Sequence, residues 1–225
     1  GVQQIFAGTY NNLTTQTSNQ IRTIQGDVSV NNNLTITLGT FNFGNVAARN
    51  VVVNGNLSVA GTIDMSGGAL AHVLTLNGPN NAIATLTSGS GTVIYSGAVA
   101  QQIFAGTYYN LATQTSDQVR TIQGNVTVNN DLTITLGTFS FGNVIRTVSV
   151  SGNLSGAGTI DMSGGPVAHV LNLGGVNNAI GTLTTAAAAS VVNYNRPGDQ
   201  FVFASPNYRD LTISVSGNKT MQGNV

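Results

Sequence analysis

Asp27-Val28-Ser29-Val30-Asn31-Asn32-Asn33-Leu34-Thr35-Ile36 is answered one beat later by Val51-Val52-Val53-Asn54-Gly55-Asn56-Leu57-Ser58-Val59. Each phrase is a short alternating stretch, an Asn- or Gly-bearing turn, and a second alternating stretch. Apolar residues at period two put one face of each stretch inward as a strand. Val30 to Val53 is 23 residues, as is Leu34 to Leu57, and Val53 to Leu76 is 23 again. Upstream, Leu13 to Leu34 is 21 residues. Units this short cannot shield their own apolar face. Stacked, they bury a continuous core, which is the physics of a solenoid.

A longer period encloses the short one. Gln3-Gln4-Ile5-Phe6-Ala7-Gly8-Thr9-Tyr10 returns as Gln101-Gln102-Ile103-Phe104-Ala105-Gly106-Thr107-Tyr108, 98 residues on. Thr62-Ile63-Asp64-Met65-Ser66-Gly67-Gly68 returns as Thr159-Ile160-Asp161-Met162-Ser163-Gly164-Gly165. A third copy opens near Gln200-Phe201-Val202-Phe203 and runs to Thr220-Met221-Gln222-Gly223-Asn224-Val225. The expectation is one continuous solenoid over residues 1–225, with long repeats at about 1–98, 99–198 and a truncated 199–225. Four short beats, the fourth one longer, are expected to fill each long repeat. The incomplete third copy reads as a piece cut from a longer array.

The fold class expected is all-β, a repetitive parallel β-helix solenoid with a right-handed coil. Val30, Val53 and Leu76 should then lie above one another, and Leu34 above Leu57. Asn31, Asn54 and Asn77 at the turn should form a side-chain ladder. The alternative is a tandem pair of immunoglobulin-like β-sandwiches, since 98 residues is also the size of one such domain. The absence of Trp and of a charged or Pro-bearing linker counts against it.

Composition excludes several classes of function. Charged residues are 6% of the chain, with no Glu and a single Lys, and the formal charge is zero. No basic stripe exists for nucleic acid. No run of apolar residues is long enough to span a membrane as a helix. Cysteine is absent, which removes disulfides and thiolate metal sites. Asn, Gly, Thr and Val dominate, the residues of tight turns and strands. So few long charged side chains suit an extracellular fibre on a cell surface.

Candidate chemistry reads poorly residue by residue. Asp64 and His72 recur as Asp161 and His169, but no third or fourth ligand accompanies them. The duplicated His reads as a turn or surface residue. Gly156-Ala157-Gly158 reads as a tight corner rather than a nucleotide or calcium motif. The sequons at Asn12, Asn33, Asn56, Asn125, Asn153 and Asn218 follow from turn Asn placed before Leu-Thr or Val-Thr strands. Thr-X-Thr pairs at Thr35/Thr37, Thr85/Thr87, Thr133/Thr135 and Thr182/Thr184 suggest ice binding only weakly, because Ser58 and Ala60 interrupt the file. The seven acids are all Asp and are scattered. Phe41 and Phe43, at period two, are expected to fill the core, as are Phe139 and Phe141. No catalytic, cofactor-binding or metal residue is assigned, and no cofactor is expected.

The phrases Gly8-Thr9-Tyr10-Asn11-Asn12-Leu13-Thr14, Thr23-Ile24-Gln25-Gly26-Asp27-Val28-Ser29-Val30-Asn31 and Asn33-Leu34-Thr35-Ile36, with their second copies from Gly106 and Thr121, resemble repeats of large secreted surface proteins of Bacteroidetes. These are adhesin-type proteins, gliding-motility adhesins among them, exported by the type IX system. The resemblance covers essentially the whole chain and is specific for the repeat type. It implies a cell-surface or extracellular fibre and transfers no catalytic residue. Partners expected are neighbouring repeats of the same protein, further copies in a fibre, and surface glycans. Nucleic acid and a membrane span are not expected. Two alternatives stay open: a glycan-binding or glycan-cleaving β-helix, and a segment of a phage tail fibre or spike.

Overall fold

The structure is a computed structural model that describes residues 3–15, 19–114, 117–185, 189–205 and 207–225. Every pair of strands in it is parallel, as in Val28–Val30 beside Asn50–Val53 and Thr147–Val150 beside Val170–Leu173. The chain winds through about ten turns and is a β-solenoid. At about 4.8 Å per turn this makes a rod about 45–50 Å long. A single short 3-10 turn, Gly67–Ala69, is the only helical element among the described residues.

Each turn has three faces. In the first copy the first face stacks Gln3–Ile5, Ile21–Ile24, Thr40–Asn42 and the end of Leu57–Asp64. The second face stacks Gly8–Tyr10, Val28–Val30, Asn50–Val53, Val73–Leu76 and Thr92–Tyr95. The third stacks Leu13–Thr15, Leu34–Ile36, the start of Leu57–Asp64 and the start of Asn81–Thr87. Val30 lies in register with Val53, Val53 with Leu76, and Leu34 with Leu57. Alternation makes the packing: in Val28–Val30 and Leu34–Ile36 the outer residues are buried and the middle one is not.

One apolar cluster runs from Ile5 to Phe203. Phe41, Phe43, Phe139 and Phe141 all lie inside it. Each Phe pair meets edge to face, with ring centroids 5.9 Å apart at Phe41 and Phe43 and 6.1 Å at Phe139 and Phe141. Burial of each such ring contributes about 2–3 kcal/mol, so the column of rings is a main source of cohesion.

The long repeat does not contain a whole number of turns, contrary to the four beats expected. The first copy completes four turns and fills two faces of a fifth. Gln101–Ile103, which opens the second copy, then takes the third face of that turn: Gln102 N donates to Pro79 O at 3.0 Å, just before the third-face strand Asn81–Thr87. Asn110–Thr113, the counterpart of Leu13–Thr15, therefore stacks on Thr92–Tyr95 instead of on a third-face strand. The same step recurs where Asp210–Ile213 stacks on Val191–Tyr194. Each copy is thus turned by one face relative to the copy before it. The spacing between copies is regular, but the face a residue occupies depends on the sum of several turns of unequal length.

Candidate functional site

Three polar constructions stand out on the rod, at the corners, in the outer ladders and at the seams between copies. In the first copy the corner construction begins with the residue before each third-face strand. Asn33 N donates to Asn12 Oδ1 at 3.1 Å, Asn56 N to Asn33 Oδ1 at 2.9 Å, and Asn80 N to Asn56 Oδ1 at 3.0 Å. The second copy repeats this with Asp131 N on Asn110 Oδ1, Asn153 N on Asp131 Oδ1 and Asn177 N on Asn153 Oδ1. A corner breaks the backbone ladder, and a short side-chain carbonyl restores the lost acceptor. Four of these Asx residues were visible only as sequons, at Asn12, Asn33, Asn56 and Asn153. Their beat matches that of Leu13, Leu34 and Leu57, which is the signal that could have found them.

The ladder expected at Asn31, Asn54 and Asn77 forms only in part. Asn77 Nδ2 donates to Asn54 Oδ1 at 2.8 Å. Asn31 stands in register below, with its backbone N on Tyr10 O, but its side chain does not bond Asn54. Asn32, the next residue, turns its amide down to Asn11 Oδ1 at 2.9 Å instead.

His72 and His169 are fully buried, not turn or surface residues as expected. His72 Nδ1 accepts the backbone N–H of Arg49 at 3.1 Å, and its ring stands on Phe43. His169 stands on Phe141 and sets Nε2 against Gly142 O and Gly164 O at 3.1 and 3.2 Å. Each imidazole closes a corner where the backbone needs a side-chain partner. Asp64 and Asp161 bond neither His: Asp64 Oδ1 accepts Ser66 N and Oγ and its Oδ2 accepts Asn42 Nδ2 of the neighbouring turn, while Asp161 Oδ1 accepts Ser163 N and Oγ and its Oδ2 accepts Ser140 Oγ. Gly156 takes the corner its sequence suggested, at φ +123°, where an added Cβ would lie 2.0 Å from Ile134 O.

The seams are built differently from the turns. Gln101 Nε2 donates to Leu76 O and Gly78 O at 2.8 and 2.9 Å, while its Oε1 accepts Gly97 N and Arg120 Nε. Arg120 is fully buried, and its guanidinium also reaches the carbonyls of Gly97, Gln114 and Gln118. Burial pushes this guanidinium below its ordinary value. Several carbonyl dipoles stand in for an acid. Beside it Tyr108 Oη donates to Phe104 O at 2.8 Å, and Phe104 N donates to Tyr95 Oη at 3.3 Å. The second seam repeats the plan. Gln200 Nε2 holds Leu173 O and Gly175 O, Phe203 N donates to Tyr194 Oη, and Tyr208 Oη donates to Phe203 O. Lys219 replaces the Arg and donates to Arg196 O, Gly198 O and Ser216 O. Burial raises the phenols of Tyr95, Tyr108, Tyr194 and Tyr208 above their ordinary value. Sequence reasoning named Gln101, Phe104, Gln200 and Phe203 only as parts of a repeat and did not single out Arg120, Tyr95 or Tyr194.

A groove of about 440 Å³ opens at the first seam, lined among others by Val59, Ile83, Gln102, Phe104 and Gln123. Its walls hold amides and hydrocarbon and no titratable side chain, so they offer no general acid or base. Among the described residues no three His, Cys, Asp or Glu side chains converge on a point. No helix among them is long and apolar enough to cross a membrane. No protein-family model matches the chain, and no curated protein or solved structure matches it either.

Proposed function

We propose that this chain is a structural segment of an extracellular surface fibre, a stiff rod that carries or forms an adhesive surface and performs no catalysis. The observation that supports this reading is the single core. It continues through both seams, where Gln, Tyr and a buried cation bind the turns together. Stiffness follows because bending the rod would separate parallel strands that bond to neighbours on both sides. The outside mixes neutral amide and hydroxyl side chains with exposed apolar ones such as Phe6, Val46 and Ile145, which suits contact with neighbouring repeats, further copies of the rod or surface glycans. The resemblance to Bacteroidetes adhesin repeats points the same way.

The experiment is surface labelling. Antibody raised against residues 1–225 should decorate intact cells of the organism that makes the protein, and external protease should remove the signal. Labelling only after lysis overturns the proposal. Small-angle scattering of the purified chain should give one elongated particle, and two lobes joined near residue 100 would defeat the stiff rod.

A further inference from the structure

The chain contains two Asn-Gly pairs, Asn54-Gly55 and Asn77-Gly78, both in the first copy. Their counterparts in the second copy are Ser151-Gly152 and Gly174-Gly175. Glycine after asparagine leaves the following backbone nitrogen unhindered for attack on the side-chain amide. The two pairs stand one above the other, joined by the Asn77 to Asn54 amide bond. Their attacking nitrogens differ. Gly55 N is held, donating to Asn32 O at 2.8 Å. Gly78 N makes no hydrogen bond among the described residues. We propose that Asn77 is a site of spontaneous deamidation that acts on the first seam, and that Asn54 is protected by the ladder.

The chemistry needs only water and base. The Gly78 nitrogen loses its proton and attacks Asn77 Cγ. The N–Cγ bond forms, the Cγ–Nδ2 bond breaks, and Nδ2 leaves as ammonia with a proton. Water then opens the resulting succinimide at either carbonyl. One opening gives aspartate at position 77; the other gives isoaspartate, whose main chain runs through Cγ and is one atom longer. No electron changes hands.

The consequence falls on Gln101. Its single Nε2 holds Leu76 O and Gly78 O together, one on each side of position 77. An extra main-chain atom between those carbonyls prevents both bonds from being made at once. Aspartate removes the donor of the rung to Asn54 but keeps the main chain, so it leaves the grip of Gln101 in place. The second seam has the same grip, Gln200 on Leu173 O and Gly175 O, with Gly174 between. It has no amide to lose there. The first seam ages and the second does not.

The test is to age the folded chain in mildly alkaline buffer and follow position-resolved mass gain, with isoaspartyl methyltransferase labelling to identify isoaspartate. Asn77 should convert about tenfold faster than Asn54, the factor that corresponds to one hydrogen bond of about 1.4 kcal/mol at Gly55 N. In urea the two rates should converge. Equal rates in the folded chain, faster loss at Asn54, or no conversion at either position overturns the proposal. Asn77→Gly copies the residue the second copy already uses, so it should fold. It should also keep its melting temperature through ageing while the parent chain loses stability. A parent chain that accumulates isoaspartate at position 77 without any fall in melting temperature refutes the link to the seam.

Discussion

The two complete copies share one backbone plan and dress it differently. On the second-face strands of the first copy the outward residues are Val52, Thr75 and Ile94, in register from turn to turn. At the same positions the second copy has Ser149, Asn172 and Asn193. There Asn172 Nδ2 donates to Ser149 Oγ at 3.1 Å, Asn193 Nδ2 to Asn172 Oδ1 at 3.1 Å, and Ser214 Oγ to Asn193 Oδ1 at 2.9 Å. The first copy places its amide rung in the turn instead, at Asn54 and Asn77. An outer ladder can move from turn to strand because the backbone ladder and the core already fix the register. The corner Asx residues, the buried His and the seam Gln do not move between copies, because each bonds backbone groups at a corner or a seam, where the chain leaves its strand ladder.

The largest expected effect tests whether the copies are equivalent in backbone. A Cβ on Gly78 would lie 2.0 Å from Gly55 O, and one on Gly175 would lie 2.3 Å from Gly152 O. Gly78→Ala and Gly175→Ala should each destabilise by about 4 kcal/mol or more, since the obstacle is backbone and cannot turn away. Urea unfolding of the two variants compares the copies directly, and a mild effect at one site alone would show that its corner can open.

Next is the seam cation. Arg120→Ala should cost about 3 kcal/mol, because Gln101 and several buried carbonyls lose their donor. Arg120→Lys, which copies Lys219 of the second seam, should recover most of that loss in the same thermal melt. Failure of the Lys variant would mean that the two seams are not interchangeable.

Alkaline titration should show a smaller, graded loss. The four seam phenols are raised by burial, so the folded chain keeps them protonated where the unfolded chain ionises them. Their contribution is complete below the unfolded value of about 10 and is lost as pH rises above it, by up to about 1.4 kcal/mol per pH unit for each tyrosine. Absorbance of tyrosinate should therefore appear together with the loss of strand circular dichroism, not before it. Tyr95→Phe and Tyr194→Phe should each lower stability by about 1 kcal/mol by taking the acceptor from Phe104 N or Phe203 N.

The smallest effect concerns the outer ladders. Ser149→Val, Asn172→Thr and Asn193→Ile together give the second copy the outward residues of the first. Stability should change by no more than about 1 kcal/mol, since half-buried amide bonds beside an intact backbone ladder contribute little net. A large loss would show that the outer ladder, and not the backbone, sets the register of that copy.

Much of the architecture was legible because it rests on spacing. The 23-residue beat names Val30, Val53 and Leu76 as neighbours, and Leu34 as the neighbour of Leu57. Period two placed Phe41 and Phe43 inside. The expected Asn ladder, at Asn31, Asn54 and Asn77, lies two residues from its main course through Asn33 and Asn56 in the same corners, because a turn Asn looks the same in sequence whether it bonds the next turn or its own. His72 and His169 look like surface residues because an isolated His in an Ala-Leu-Val context gives no hint that backbone groups of another turn will meet its ring, Arg49 N at His72 Nδ1 and Gly142 O at His169 Nε2.

By itself the sequence determined that strands alternate, that turns recur and that equal beats must stack, because apolar side chains at fixed spacing have only one way to leave water together. The tertiary structure decided which face each copy occupies, and with it the seams, the buried Arg120 and the grip of Gln101. Those depend on where the chain stands after four unequal turns and two faces of a fifth, a sum of small corner geometries that no local pattern records.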